Sequence, residues 1–358
     1  MSMLEFQKFD YKVSLDRQQK LFAECFPEVF DDAHTSISYS ADKYKWLFQS
    51  YPAATKSYEY GAMIKDDLVG YYAALPFVYK IGGQTYRSGM VCGVMTSPKQ
   101  RKAGIFTKLG NFAAEEQTKS GVDFNLTFPI RKAVMPGFMR MGWEVGFEMP
   151  LYIKFLKLNS LLQRKKLGVL APVFNIGAAL YSTAFRKKSN ADIKVVTYKK
   201  FEEISGYGEF IKTYEQITPN TLKKDAAFSK WRYGAPGAEY LFVCAYRADR
   251  LIGFVSLRAI VREGVPSYGI VDFMYTENIC LSNLYNAMEA RAKANGIEAI
   301  MTMMSKSSAG KYRILAHGFM KSPFKFHFIF KNLSGKIPQE ELLNEEAWHL
   351  MFIDTDDL

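Results

Sequence analysis

The chain has 358 residues, enough for two domains of ordinary size. With 48% hydrophobic and 23% charged residues it can bury a real core, which excludes disordered, collagen-like and disulfide-scaffold classes. Its net charge of +11 is concentrated: between Leu151 and Asn190 there is no acidic residue, and Lys154, Lys157, Arg164, Lys165, Lys166, Arg186, Lys187 and Lys188 all fall there.

Cys25, Cys92, Cys244 and Cys280 lie far apart with no C-x-x-C pair, which points to reduced thiols, a cytoplasmic location and no metal site. The stretch Met1 to Asp10 lacks the apolar region of a secretory signal. No nucleic-acid reading motif accompanies the basic charge, so nucleic acid is not an expected partner.

In chain order, the segment Ala62 to Phe77 predicts a hairpin turning at Lys65-Asp66-Asp67. A strand over Met90–Thr96 leads through Ser97-Pro98-Lys99-Gln100 and Arg101-Lys102-Ala103-Gly104 into a helix over Ile105–Ser120. Ile105, Leu109 and Phe112 mark its buried stripe. A strand over Asp123–Phe128, a short helix stopping at Gly142-Trp143 and an aromatic strand near Leu151–Phe155 follow.

The uncharged run Leu167 to Phe185 comes next, between the two basic clusters. Leu167, Leu170, Phe174, Ala178, Tyr181 and Phe185 recur at helical spacing, predicting a helix that packs on the protein's own core. The alternative is a helix lying in an anionic membrane surface, with its basic ends on headgroups, on the inner face of the membrane. Pro172, Asn175, Gly168 and Gly177 make it a poor span.

The second half repeats the first. Lys230-Trp231 answers Lys45-Trp46, and Arg250-Leu251-Ile252-Gly253 answers Asp67-Leu68-Val69-Gly70 in place and character. A hairpin over Cys244–Ile260, a helix over Leu281–Asn295, a strand over Ala299–Met304, a helix stop at Gly318-Phe319 and an aromatic strand over Phe324–Phe330 restate the earlier order. The expected organisation is therefore a first domain 1–158, a basic amphipathic linker helix 159–194, a second domain 195–335 and an acidic tail 336–358. Each domain is a mixed α/β (α+β) unit.

The turn from Arg101 to Phe106 has the makings of an anion site. Glycine lets backbone N–H groups approach an anion closely, and the helix N-terminus and basic side chains add positive charge. It resembles the acyl-CoA motif (Arg/Gln)-x-x-Gly-x-(Gly/Ala) of the GNAT superfamily of N-acetyltransferases. Phe128-Pro129 and Pro136-Gly137-Phe138-Met139-Arg140-Met141-Gly142-Trp143 are similar to the later part of that fold. The resemblance covers about residues 9–158; the second copy follows the fold in order only. It implies two tandem GNAT-like domains, each a mixed, mostly antiparallel sheet flanked by helices.

Carried over by position, the resemblance implies that Val94, Met95 and Thr96 contact the thioester and pantetheine arm. The N–H groups of Arg101, Lys102, Ala103, Gly104, Ile105 and Phe106 would hold the pyrophosphate of acetyl-CoA or another acyl-CoA. Three positions depart from the family. Phe106 stands where Gly or Ala is usual, no Glu lies on Gly89–Thr96, and Phe138 replaces the tyrosine often used as general acid.

The catalytic carboxylate is left to weak candidates: Asp272 on the strand matching the acyl-CoA strand, and Asp354 and Asp356 in the tail, which a terminal strand would point to one face with Asp357 on the other. His34, His317 and His327 read as structural or exposed. In the second copy Tyr275-Thr276-Glu277-Asn278 lacks both glycine and basic residues, so no CoA is expected there. The expected activity is acyl-CoA-dependent N-acylation of a small amine, by analogy an amino-sugar or cell-surface precursor, the second domain helping to shape its pocket. The alternatives are a Fem-type aminoacyl-tRNA-dependent transferase and an inactive scaffold of the same fold.

Overall fold

The structure, a computed structural model, describes residues 4–27 and 40–356; His34 and Asp357 lie outside the described residues. In chain order the strands are β1 (Leu4–Lys8), β2 (Tyr58–Ile64), β3 (Asp67–Leu75), β4 (Val78–Ile81), β5 (Gln84–Thr96), β6 (Phe124–Thr127) and β7 (Glu144–Phe155). They continue with β8 (Lys194–Tyr198), β9 (Asn220–Leu222), β10 (Tyr240–Arg247), β11 (Arg250–Arg262), β12 (Val265–Tyr275), β13 (Ala299–Met303), β14 (Met320–Asn332) and β15 (Trp348–His349).

The described residues fall into two compact units, one of 4–27, 40–147 and 327–344 and the other of 148–326 and 345–356. In the first unit the sheet runs β1-β2-β3-β5-β6-β14. All of its pairs are antiparallel except β5 with β6. The expected hairpin is β2–β3, with Lys65 at φ +53 in its turn. Helix Ile105–Lys119 packs on this sheet through Ile105, Leu109 and Ala113, which join Val69, Tyr72 and Val91 in one apolar cluster. A Cβ on Gly70 would lie 2.9 Å from the Ile105 side chain, so the close approach of helix and strand needs glycine there.

The second unit repeats the plan with the sheet order β7-β13-β12-β11-β10-β8, where β12–β13 is the parallel pair. Helix Leu281–Ala294 takes the place of Ile105–Lys119, and Gly253 takes that of Gly70, its absent side chain making room for Cys280 and Leu284 at 2.6 and 2.8 Å. The sequence repeat is thus a packing repeat.

Three expected boundaries differ from the observed architecture. Ile329–Asn332 of β14 pair with β6 and close the first unit's sheet, while Leu151–Phe155 of β7 pair with β13 and close the second unit's. The contiguous division at 158 and 335 misses this exchange because both strands are aromatic and suit either edge. The stretch 159–194 is not one linker helix: it forms Asn159–Arg164, a tight turn at Gly168–Leu170 and Ala171–Ala184, all within the second unit. The tail is not a free acidic end. Gln339–Leu343 is a helix of the first unit; in the second, Trp348-His349 pairs in parallel with Asn220-Thr221 and the chain then stays buried through Thr355. Apolar Leu350, Met351, Phe352 and Ile353 account for that burial.

Among the described residues, no helix is long and apolar enough to cross a membrane.

Candidate functional site

In the first unit the parallel ladder between β5 and β6 ends at Met90↔Leu126. Beyond it β5 follows β3 alone, and a bulge shifts the register between Tyr71↔Met95 and Ala73↔Cys92, where Gly93 sits at φ +61. Among the described residues no strand takes the place of β6 alongside 91–96, where helix Tyr11–Cys25 packs and Cys25 Sγ donates to the Thr96 carbonyl at 3.3 Å. Gly93, Val94 and Thr96 are partly exposed here, whereas Met95 is buried, so the three expected contact residues present themselves unequally.

At the end of β5 the chain makes a single helical turn, Pro98–Gln100, and then twists. Lys102 has φ +72 and Gly104 φ +73, with right-handed helix starting at Ile105. Such alternation of backbone handedness can turn N–H groups toward one concavity, although the Ala103 N–H donates back to the Gln100 carbonyl at 3.4 Å, and the first turn of the 15-residue helix adds its own N–H groups and positive dipole end. No side chain caps that helix end. A surface cavity of about 420 Å³ lies against it, lined by Gln100, Arg101, Lys102, Gly104, Thr107 and Arg140 among others. Arg101, Lys102 and Arg140 add formal positive charge to a donor-lined hollow, which suits an anion the size of a diphosphate. Arg140 was not singled out in the sequence: it lies 36 positions from Gly104, on helix Met135–Arg140, and no local motif connects the two.

Phe106 also lines this hollow, at its wall. It packs edge-on to Phe138, with ring centroids 5.2 Å apart, and occupies the space a side chain at Gly137 would need. A Cβ on Gly137 would sit 2.3 Å from Phe106. Gly137→Ala is therefore expected to cost about 2 kcal/mol by overpacking and to push the ring toward the cavity. Thermal unfolding should register the loss and Phe106→Leu in the same chain should restore it; an unperturbed melting temperature in Gly137→Ala would refute this account of Phe106. Phe138 itself is buried between Phe106 and Trp143 and has no proton to give.

Beneath the bulge lies a buried carboxylate that sequence pattern did not reveal. Glu59 accepts hydrogen bonds from the hydroxyls of Tyr44, Tyr71 and Ser57 and from Gln49 Nε2. Burial pushes its pKa up and the four donors oppose that shift. Glu59 fastens the segment 41–49 to the sheet and fixes Tyr71, whose ring would lie 3.6 Å from a Cβ at Gly93. Nothing but an out-of-pattern acid within a mostly apolar strand signals it.

The second unit keeps the bulge and loses the cradle. Its β11–β12 register shifts between Ser256↔Asp272 and Leu257↔Ile270, and the parallel ladder ends at Gly269↔Met301. The following turn places Glu277 where the first unit has its cations, held by Arg247 (3.0 Å) and Arg250. Both guanidiniums are taken up by this one carboxylate, and the turn 275–278 itself has neither glycine nor a basic residue.

Asp272 occupies the bulge, fully buried. Its Oδ2 accepts from Lys224 Nζ at 2.8 Å, and its Oδ1 lies 2.9 Å from His349 Nε2. His349 Nδ1 lies 3.1 Å from the Tyr312 hydroxyl. Burial pushes the Asp272 pKa up, but Lys224 and His349 together hold it below the usual carboxylate value. Burial and Lys224 depress His349 to about 4. Asp354 is also fully buried and accepts from the Met351 backbone N–H, closing the short turn Phe352–Asp354. The terminal strand expected to aim Asp354 and Asp356 at one face is replaced by this turn, which leaves Asp356 exposed. Asp272 and Asp354 lie buried on elements that pack together, each in its own hydrogen bonds, while Asp356 is exposed. His317 is buried too, stacked on Tyr285 at 4.0 Å.

Comparison with known proteins agrees with this geometry. Residues 12–146 match the acetyltransferase (GNAT) domain family. No curated protein matches the chain. Among solved structures, a GCN5-related N-acetyltransferase from Anabaena variabilis is similar at 12% identity and a TM-score of 0.64, over 92% of this chain and 73% of that one. An Enterococcus faecalis protein described as a probable N-acyltransferase is similar at 12% identity and 0.65, over 93% and 73%. Saccharomyces cerevisiae N-myristoyltransferase, solved with bound myristoyl-CoA and inhibitors, is similar at 13% identity and 0.65, over 93% and 81%. At these identities the likeness is one of fold.

Proposed function

We propose, for a chain whose residues 12–146 match the GNAT acetyltransferase domain family, that the protein transfers an acyl group from a CoA thioester to an amine. The observation that carries this reading is the cradle at 101–106: a backbone with two positive-φ residues and an uncapped helix end beneath three cations, directly after a strand that has parted from its neighbour. Bound acyl-CoA supplies an activated carbonyl carbon. Backbone N–H groups within the turn from Arg101 to Phe106 would take the pyrophosphate, with Arg101, Lys102 and Arg140 balancing its charge. The stretch from Val94 to Thr96 would align the pantetheine arm, and a backbone N–H at Val94 would stabilise charge developing on the thioester oxygen. Fixing amine and thioester at attack distance supplies much of the remaining rate advantage.

We take the acyl group to be acetyl, and the acceptor to be a small amine of amino-sugar or cell-surface-precursor type. The donor is tested by calorimetric titration of CoA, acetyl-CoA and myristoyl-CoA into the full chain. Micromolar acetyl-CoA binding supports the reading, preference for the long chain replaces acetyl with a fatty acyl group, and absence of binding by any of them sinks acyl transfer. Release of free thiol from the bound thioester in the presence of a panel of amines then identifies the acceptor class.

A further inference from the structure

Helix Ala171–Ala184 turns a large apolar face to solvent. The side facing the rest of its unit carries Ala171, Asn175, Ala178, Tyr181 and Ser182, with Tyr181 and Phe185 against Gly318, while Val173, Ile176 and Leu180 point to solvent. Val169 is 94% exposed, Val173 69%, Ile176 63%, Leu180 67% and Phe174 47%. Spacings of four, three and four residues put Val169, Val173, Ile176 and Leu180 on one face. The inner side is fastened: Asn175 Oδ1 accepts from the Leu158 N–H at 2.9 Å, and its Nδ2 donates to Asn159 at 2.7 Å. Of the expected inward stripe, Ala178, Tyr181 and Phe185 do turn inward while Leu167, Leu170 and Phe174 are exposed, and a second apolar face of Val169, Val173, Ile176 and Leu180 points outward.

Charge identifies what covers that face. Exposed Arg164, Lys165 and Lys166 precede the helix, and exposed Arg186, Lys187 and Lys188 follow it. No carboxylate lies anywhere in 151–190. At the far end, the three following cations join Thr183, Ser189 and Asn286 around an open recess of about 450 Å³. A second copy of this helix would set like charges together in either orientation, because both of its ends are positive. The helix spans about 21 Å, short of the roughly 30 Å hydrocarbon core. We propose that it is a membrane-surface helix, lying in the plane of an anionic bilayer with Val173, Ile176 and Leu180 among the acyl chains and the flanking cations on headgroup phosphates. This inference does not rest on the acyl-transfer reading.

Flotation of the full chain with vesicles of phosphatidylcholine, alone or with phosphatidylglycerol, tests it. The protein should float with the anionic vesicles at low salt and not with the neutral ones. Ile176→Gln with Leu180→Gln should lower the partition coefficient on the order of 100-fold, from the apolar transfer lost. Lys165→Gln, Lys166→Gln, Lys187→Gln and Lys188→Gln together should lower it at least as much. All of these side chains are exposed, so melting temperatures should not move and weakened flotation cannot be assigned to unfolding. Wild type that stays with the soluble fraction, equal flotation on neutral vesicles, or indifference to either set of substitutions overturns the proposal. So does a dimer by light scattering that Ile176→Gln with Leu180→Gln converts to monomer, since the occupant would then be a second copy.

Discussion

Replacing Gly104 by glutamate should lower the affinity for acyl-CoA on the order of 1000-fold while leaving the fold intact. A Cβ at this position meets only the end of the Lys108 side chain, at 4.0 Å, so the substitution clashes with nothing in the protein. The backbone at φ +73 disfavours any L side chain, at a cost of about 1 kcal/mol, which a folded domain tolerates. The damage falls on the ligand. A carboxylate about 4 Å from a diphosphate near the protein surface faces repulsion of about 4 kcal/mol per charge pair, close to three decades in the dissociation constant. Gly104→Ala separates the two components, since it carries the backbone strain without the charge and should weaken binding far less. Calorimetric titration of the three proteins reads this directly. Equal binding by wild type and Gly104→Glu would move the coenzyme away from this loop and remove the main support for acyl transfer.

Much of this site was legible in the sequence because local chemistry dictates it. Gly104 before an apolar-periodic run marks a turn into a helix, and the basic pair before it gives that turn its charge. Gly70 and Gly253 reveal the repeat because each removes a side chain where a long helix presses on its strand. What stayed hidden depends on contacts between residues distant in the chain. Alternating aromatic residues say that β7 and β14 are strands but not which edge receives them, so the exchange of final strands has no local signature. The exposed apolar face of helix Ala171–Ala184 escaped for a related reason. Periodicity locates an apolar face, whereas Asn175 decides which face turns inward through hydrogen bonds to the chain at 158 and 159. Arg140 and Glu59 similarly acquire meaning only once the sheet brings them beside the loop and the bulge.

Asp272→Ala should destabilise the protein by about 3–5 kcal/mol, the cost of leaving a buried ammonium without its counter-charge. Lys224 has no exposed surface and donates to Asp272 at 2.8 Å, so removing the carboxylate strands a charge that the native fold cannot hydrate. The same cluster sets a pH dependence. His349 is depressed in the folded protein to about 4 from 6.5, so between these values the unfolded chain binds more protons than the native one. Stability is present in full above pH 6.5 and falls as pH drops through the window, by on the order of 3 kcal/mol for this one group. Asp272, held below its usual value, loses its contribution in the same direction at still lower pH. If the cluster is structural, replacing all its polar groups at once should be far milder than breaking one pair: Lys224→Met, Asp272→Leu and His349→Phe together should recover most of the stability lost in Asp272→Ala and flatten the acid side of the stability profile. Chemical denaturation of the three proteins between pH 4 and 7.5 decides it. A triple variant that is stable but catalytically dead, with acyl-CoA affinity intact, would instead give the Asp272 cluster a part in the reaction.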